Sequence, residues 1–494
     1  MLSILKRLIK GSLTYGFGSL SQKIVGVLLV PVYTRFLTTS DYGIVAVASS
    51  VSSILGIFLG MGLSAAVVRH YYDYADSQEE VPEYIGTVFL FFLAVSISIV
   101  TGLAVFGKPL FDSLFSDVPF HPYIFLTLWT ALFGVTSNIL LGLYRAREQA
   151  GRYVALQVGQ FLVSLGVIIY LVTILQQGAL GQIRGGFLSG LLFFFVFLVL
   201  TLREGALRFS MPKLRNALGF GLPLMPHMLS GWVLAAADRI LLARMTSLSE
   251  VGLYNLGYQI GMVMSLVVSA INFAWAPIFY DTARNRKDAR SLLSRMFTLY
   301  AVVVSTLAVG AVLFSREVIL IMAAKPFYGA YLVVPAVAVG YLFQGLYFMS
   351  VTPIFYMKKT YVLPCLTGFA ALLNIGLNIW WIPRLGIMGA AYATLVAFAL
   401  LFALTHIAAQ RYYRIPYDYR RVVSMGLLVA GVYLVNNAMH FQGIIVPVLI
   451  KMGIVAAFLA GVFLLKVVSI QELKKVRELV RGATRHDDQE SSNG

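Results

Sequence analysis

The sequence holds a single cysteine, Cys365. A lone thiol closes no intrachain disulfide and builds no thiolate metal cluster. Charge is scarce as well: Asp, Glu, Lys and Arg make up 12% of 494 residues, against about 25% in soluble domains. So few charges cannot dress a water-soluble globule of this size. A hydrophobic content of 59% excludes intrinsic disorder. Acids are scarcer than bases, 21 against 38. Enzyme signatures are missing too. The six histidines show no metal spacing, and there is no His-Glu-x-x-His helix or nucleophile elbow. Gly102 to Lys108 imitates a P-loop, but Pro109 stands where Ser or Thr is required. No loop is long enough for a catalytic domain. The expectation is a protein that is not an enzyme, without metal or cofactor.

What the sequence has is long apolar runs. They cover 12–37, 42–66, 84–106, 121–143, 153–175, 186–202, 217–246, 250–277, 293–315, 329–351, 361–382, 386–409, 421–439 and 443–465. A bilayer-crossing helix needs about 20 apolar residues. Helices satisfy their own backbone in lipid, and the runs lack the alternation of barrel strands. The fold class expected is an all-α polytopic membrane protein of about 14 transmembrane helices. The start of the sixth run is blurred by Arg184 and several glycines.

Lysine and arginine concentrate on alternate connections, those after the even-numbered runs, and at both termini. By the positive-inside rule these are cytoplasmic, so both termini are expected inside. The net charge of +17 is then a topology signal plus attraction to anionic lipid, with no nucleic-acid partner implied. Residues 1–11 read as an interfacial amphipathic start, and 467–494 as a cytoplasmic tail.

An internal repeat is also present. Arg35, Asp41 and Gly43 recur as Arg244, Glu250 and Gly252, each pair 209 residues apart. The same offset carries Tyr71 onto Tyr280, and a weaker match sets Arg152-Tyr153-Val154 against Thr360-Tyr361-Val362. Two six-helix halves follow, 12–215 and 216–410, with two more helices at 411–466. Six is even, so the repeats run parallel, an arrangement of secondary transporters that place a site between halves. The motif has a second reading as a hairpin device, with the acid capping a helix start and the arginine anchored at headgroups.

Ionisable groups within spans are functional suspects. Asp238, beside Arg239, is the one acid read inside a span. His227 lies three helical turns earlier, on nearly the same side. Pro223 and Pro226 should bend the same helix, as a gate would require. Arg244 sits at its outer end. A coupling or gating role is expected of these five residues; a local Asp238–Arg239 ion pair is the structural alternative. Lys23 sits in a polar stripe with Tyr15, Ser19 and Gln22, too central to snorkel comfortably. Arg69 and Arg145 stand at inner helix ends, where they either ring a mouth or anchor the topology. Lys451 reads as packing or snorkelling. Asn374 with Asn378, and Gln157 with Gln160, fit interhelical hydrogen bonding as well as ligand binding.

Three stretches carry a family resemblance: Gly11 to Leu20 continuing through Pro31 to Gly43, Ala237 to Tyr254, and Leu385 to Thr394. They resemble the Wzx-type oligosaccharide flippases of bacterial polysaccharide synthesis, in the superfamily that includes MATE extruders and lipid II flippases. The resemblance implies a V-shaped, MATE-like transporter in the bacterial inner membrane. Its cargo would be an undecaprenyl-pyrophosphate-linked oligosaccharide, moved from the inner to the outer leaflet for O-antigen, capsule or exopolysaccharide. Lys23, Arg69, Arg145 and Arg239 are the expected ligands of the pyrophosphate, with Tyr15 and Trp232 stacking on sugars. Membrane lipid, a polysaccharide polymerase and a chain-length regulator are the implied partners. A lipid II flippase shares this charge logic. A MATE drug exporter would expose acids to organic cations.

Overall fold

The computed structural model describes residues 24–75, 77, 79–439, 445–465 and 467. Lys23 and Tyr15 therefore lie outside the described residues, as does the Gly11 to Leu20 stretch. Every element among the described residues is helical. The helix Val30–Phe36 is α1. Thirteen further helices are long and apolar enough to cross a membrane. They are α2 (Thr39–Tyr74), α3 (Glu80–Phe106), α4 (Phe120–Ala146), α5 (Ala150–Ile174), α6 (Gly178–Glu204) and α7 (Met211–Met245), then α8 (Leu248–Asn285), α9 (Ala289–Leu313), α10 (Lys325–Tyr356), α11 (Thr360–Leu385), α12 (Ile387–Tyr412), α13 (Tyr419–Ala438) and α14 (Val446–Leu464). The chain is a multi-pass membrane protein, and thirteen candidate spans among the described residues are consistent with the expected count of about 14.

Several helices run up to eight residues beyond the apolar runs, and the sixth differs at its start. The sixth helix begins at Gly178, eight residues before the apolar run, and Arg184 is inside it. The glycines that blurred its start are the reason it fits. A Cβ on Gly185 would come within 2.9 Å of the Ile168 Cα, and one on Gly181 within 3.0 Å of the Leu171 carbonyl. Small residues let α5 and α6 approach at backbone distance. Arg184 stays exposed and donates to Gln177 Oε1 at 3.2 Å.

The repeat is built into the packing. Thr38 caps α2 by accepting from the Asp41 N–H, and Ser247 caps α8 by accepting from the Glu250 N–H. The acid of each motif thus occupies the third position of its helix, where it meets the positive end of the dipole. The two helices then cross reciprocally. A Cβ on Gly43 would lie 2.0 Å from the Leu248 carbonyl oxygen, and one on Gly252 would lie 2.0 Å from that of Thr39. Both contacts obey the 209-residue offset, so a local two-fold runs between the two glycines. Thr39 Oγ1 and Ser249 Oγ, 2.7 Å apart, close the seam. The hairpin reading and the repeat reading are one feature: the device that starts each helix also joins the halves.

Two further signs of the repeat were not legible in the motif. Short helices follow α3 and α9, at Lys108–Leu114 and Ser315–Met322. Left-handed residues end α4 at Glu148 and α10 at Lys358, and left-handed turns recur at Gln176 and Gly386, before α6 and α12.

Candidate functional site

α7 is where the halves touch again, and it is interrupted as its prolines require. The helix Met211–Gly221 gives way to a 3₁₀ turn over Leu222–Leu224 that contains Pro223; Pro226 then opens Met225–Trp232, and a π-turn spans Val233–Ala237. α2 is interrupted beside it. Met61 and Gly62 are both left-handed, and a Cβ on Gly62 would stand 2.5 Å from the Gly221 carbonyl oxygen. Trp232 Nε1 donates across the same interface to Ser53 Oγ at 2.8 Å.

Beside this contact lies a cavity of about 680 Å³. Its walls come from α2, α3 and α4 of the first half and from α7 of the second. Phe92, Val135, Phe220, Leu224 and Met228 make much of it apolar; Arg69 and Arg145 are its charged walls. The ends of α2 and α4 that carry them are tied by Tyr72, whose hydroxyl donates to the Ala146 carbonyl at 3.0 Å. Two of the four cations proposed as ligands therefore converge on one cavity. Their charge is not equally free. Asp73, which sequence reasoning passed over, lies 3.0 Å from Arg69 one turn along the helix and also meets His70 Nδ1 at 2.7 Å. Arg145 is exposed and has no carboxylate partner among the described residues.

A second cavity of about 400 Å³ shares Ser64, Asn138 and Arg145 with the first and extends between α4, α5 and α6. Gln157 and Gln160 line it. Gln157 Oε1 is buried without a hydrogen bond, so this oxygen joins no neighbouring helix. A third cavity of about 260 Å³ lies toward the opposite end, among α1, α2, α5, α6 and α8. There Gln259 donates to the Gly26 carbonyl at 3.0 Å and accepts from Tyr42 at 2.7 Å.

Arg239 lines none of these three cavities. It is 7% exposed and Asp238 is 1% exposed. Arg239 Nη1 sits 2.7 Å from Asp238 Oδ1 and also donates to the Ala235 carbonyl. Tyr254 donates to Asp238 Oδ2, and the Tyr258 ring lies 3.9 Å beneath the guanidinium. Tyr341 in turn donates to Tyr258 at 3.1 Å. The local ion pair foreseen as the alternative is therefore present, fully desolvated and held by aromatic donors. Nothing in this arrangement offers Arg239 to an anion. His227 does not join it. Its Nδ1 meets Thr367 Oγ1 at 3.1 Å, because the π-turn at Val233–Ala237 shifts the helical phase that would have aligned the two residues. Arg244 is exposed at the end of α7, apart from the pair.

Another pair is buried between the second half and the added helix α14. Lys451 Nζ lies 2.7 and 2.8 Å from the two oxygens of Glu317. Lys451 thus neither snorkels nor merely packs: it clamps α14 to the short helix Ser315–Met322. Asp238 is correspondingly not the sole acid buried within the bundle. Asn374 and Asn378 are fully buried, but Asn378 Nδ2 donates within its own helix, to the Asn374 carbonyl and Oδ1. Among the described residues no group of His, Cys, Asp and Glu is arranged to hold a metal.

Comparison with known proteins agrees with this architecture. The family described as "Polysaccharide biosynthesis protein" matches residues 8–283. The "Lsg locus putative protein 1" of Haemophilus influenzae is 23% identical over 290 residues, 57% of this chain and 68% of that one. The "Succinoglycan biosynthesis transport protein ExoT" of Rhizobium meliloti is 24% identical over 363 residues, 71% of this chain and 67% of that one. Among solved structures, the lipid II flippase MurJ in an inward closed conformation superposes with a TM-score of 0.71 at 14% identity, over 91% of this chain and 98% of its own. A MATE structure in the straight conformation gives 0.58 at 16% identity, over 85% and 97%. The fold is that of the MATE and MurJ structures, with two parallel six-helix repeats and two added helices.

Proposed function

The chain belongs to the polysaccharide biosynthesis protein family, and from that premise we propose that it flips an undecaprenyl-pyrophosphate-linked oligosaccharide from the inner to the outer leaflet. Family and fold alike support a membrane flippase of polysaccharide synthesis; the cargo and the direction are our reading. One observation carries it: Arg69 and Arg145 converge on a cavity walled by both halves. A pyrophosphate matches two guanidinium groups by charge-assisted, bidentate hydrogen bonds. The apolar walls suit the start of the lipid chain, whose remainder stays in the bilayer. Among the described residues no carboxylate lines the cavity, which disfavours an organic cation as cargo.

In this reading the bases at the even-numbered ends mark the cytoplasmic side of a bacterial inner membrane, with both termini inside. The interrupted helices α2 and α7 act as the moving elements, with Pro223 and Pro226 as the flexure. The Asp238–Arg239 pair sets the geometry of the second half while they move, so its role is in gating. Lys23 is assigned to the pyrophosphate by sequence alone. A polymerase and a chain-length regulator would take up the product.

The test is genetic and chemical. Deleting the gene should trap lipid-linked sugar on the cytoplasmic leaflet, and Arg69→Gln with Arg145→Gln should fail to release it at matched protein level. Accumulation of a peptidoglycan precursor instead would assign a lipid II cargo. Normal surface glycan in the double variant would remove the pyrophosphate site.

A further inference from the structure

The second cavity differs from the first in chemistry. Among the described residues its polar walls are uncharged apart from Arg145: Ser64, Asn138, Gln157 and Gln160 supply hydroxyl and amide groups, and no carboxylate is present. Its volume of about 400 Å³ falls within the roughly 300–1,000 Å³ of ligand sites. An apolar bundle has no packing reason to keep such a space. A buried, unsatisfied side-chain oxygen costs about 1–3 kcal/mol, yet Gln157 Oε1 is left in that state. α4 shows the same departure. It is mostly buried, but Gly134, Asn138 and Arg145 are exposed along one side of it. At Gly134 nothing lies within 4 Å of where a Cβ would stand.

We propose that this chamber is a sugar subsite, taking the hydroxyl-rich unit joined to the pyrophosphate while Arg145, shared by both cavities, holds the junction. The inference rests on the pyrophosphate reading of the first cavity and extends it. Neutral amides act as donors and acceptors at once, as sugar hydroxyls require. They would neither attract an organic cation nor repay the desolvation of a second anion. Tyr153 and Phe161 on the chamber wall provide apolar ring faces for the sugar's C–H face. The chamber opens beside the guanidinium, so head group and sugar enter as one piece, and recognition of the glycan falls to the first half alone.

The experiment is thiol protection in the full-length protein. Cys365 is replaced by Ser to clear the background, and one cysteine is installed by Gly60→Cys or by Gly134→Cys. Gly60 lines the first cavity, where a Cβ would meet a Val135 methyl at an ordinary 3.5 Å. Labelling by a small maleimide is timed with sugar-free undecaprenyl pyrophosphate and with lipid-linked oligosaccharide extracted from the host. At about ten times the dissociation constant, occupancy should slow a protected thiol roughly tenfold. The sugar-free lipid should slow Gly60→Cys and leave Gly134→Cys unchanged; the oligosaccharide lipid should slow both. If the oligosaccharide lipid slows Gly60→Cys alone, the sugar subsite is overturned and the pyrophosphate site stands. If neither lipid slows either variant, both are overturned. Equal protection of Gly134→Cys by the sugar-free lipid would assign the chamber to the head group and overturn the proposal.

Discussion

Where α4 carries Asn138 and Arg145 into open cavities, its repeat partner α10 carries aromatic rings. The left-handed residues Glu148 and Lys358 fix this correspondence; the same 210-residue offset sets Asn138 against Phe348 and Arg145 against Phe355. The contrast extends to the charges. In the first half Arg69 and Arg145 are exposed in a cavity. In the second, Asp238 with Arg239 is a closed pair and Glu317 is closed by Lys451 of the added helix α14, each partner under a tenth exposed. One scaffold has been filled in two ways. An open cation is available to an anionic cargo, whereas a desolvated pair is available only to its partner. On the proposed flippase reading, the charged contacts to the cargo are therefore concentrated in the first half.

The largest effect should come from opening a closed pair. Removing one partner of a buried ion pair leaves an uncompensated charge and costs about 3–5 kcal/mol. Arg239→Ala should lower the thermal midpoint of the detergent-purified protein well beyond the loss in any variant of an open arginine. Asp238→Leu with Arg239→Met removes both charges and should recover most of the stability. Transport in that double variant then separates geometry from electrostatics. Full transport would make the pair a structural clamp without a gating role.

Next in size is the reciprocal glycine crossing. Overpacking costs typically about 1–3 kcal/mol, occasionally more. Here the obstacle at 2.0 Å is a backbone carbonyl, which cannot rotate aside. Gly43→Ala and Gly252→Ala should therefore destabilise by similar amounts, near the upper end of that range. Unequal midpoints in the two variants would break the symmetry inferred between the halves.

These two regions were not equally legible. The motif at the crossing could be read because it is short and local, an arginine, an acid and a glycine repeated at one offset; that the two glycines meet could not. The span count depends on apolar length and was equally plain. The pairs were harder. Arg239 looked like a free cation because neighbours in sequence showed only Asp238, while Tyr254, Tyr258 and Tyr341 arrive from α8 and α10. Glu317 and Lys451 are 134 residues apart, and nothing local joins them. His227 and Asp238 were placed on one side by a 3.6-residue period that the π-turn interrupts. The chamber left one signal that could have been followed, Asn138 in the middle of an apolar helix. Gln157 and Gln160 drew notice as a pair, but their common cavity is visible only in three dimensions.

A third effect concerns function more than stability. Arg145→Gln removes a charge-assisted contact worth about 1.5–3 kcal/mol, or roughly ten- to a hundredfold in affinity. Flipping assayed at limiting cargo should fall accordingly, with the thermal midpoint unchanged, because Arg145 has no carboxylate partner to orphan among the described residues. Arg69→Gln should fall less, since Asp73 already engages that guanidinium at 3.0 Å. Equal losses would show that Asp73 releases Arg69 when cargo arrives.

The smallest effect sharpens the comparison most, because it repeats one substitution at an opposite site. A glycine inside a helix is less stable than alanine by roughly 0.5–1 kcal/mol. At Gly43 that gain is overwhelmed by the collision with Leu248. At Gly134 nothing is within 4 Å, so Gly134→Ala should raise the thermal midpoint slightly and leave transport intact. Gly134→Leu should keep that stability, because leucine is also a strong helix former and has space to occupy. It would fill the chamber, however, and transport of the full glycan should drop. A stable, fully active Gly134→Leu would mean that the open space in α4 serves no cargo. A destabilised Gly134→Ala would mean that the cavity closes in the membrane, and the distinction between an open first half and a closed second half would go with it.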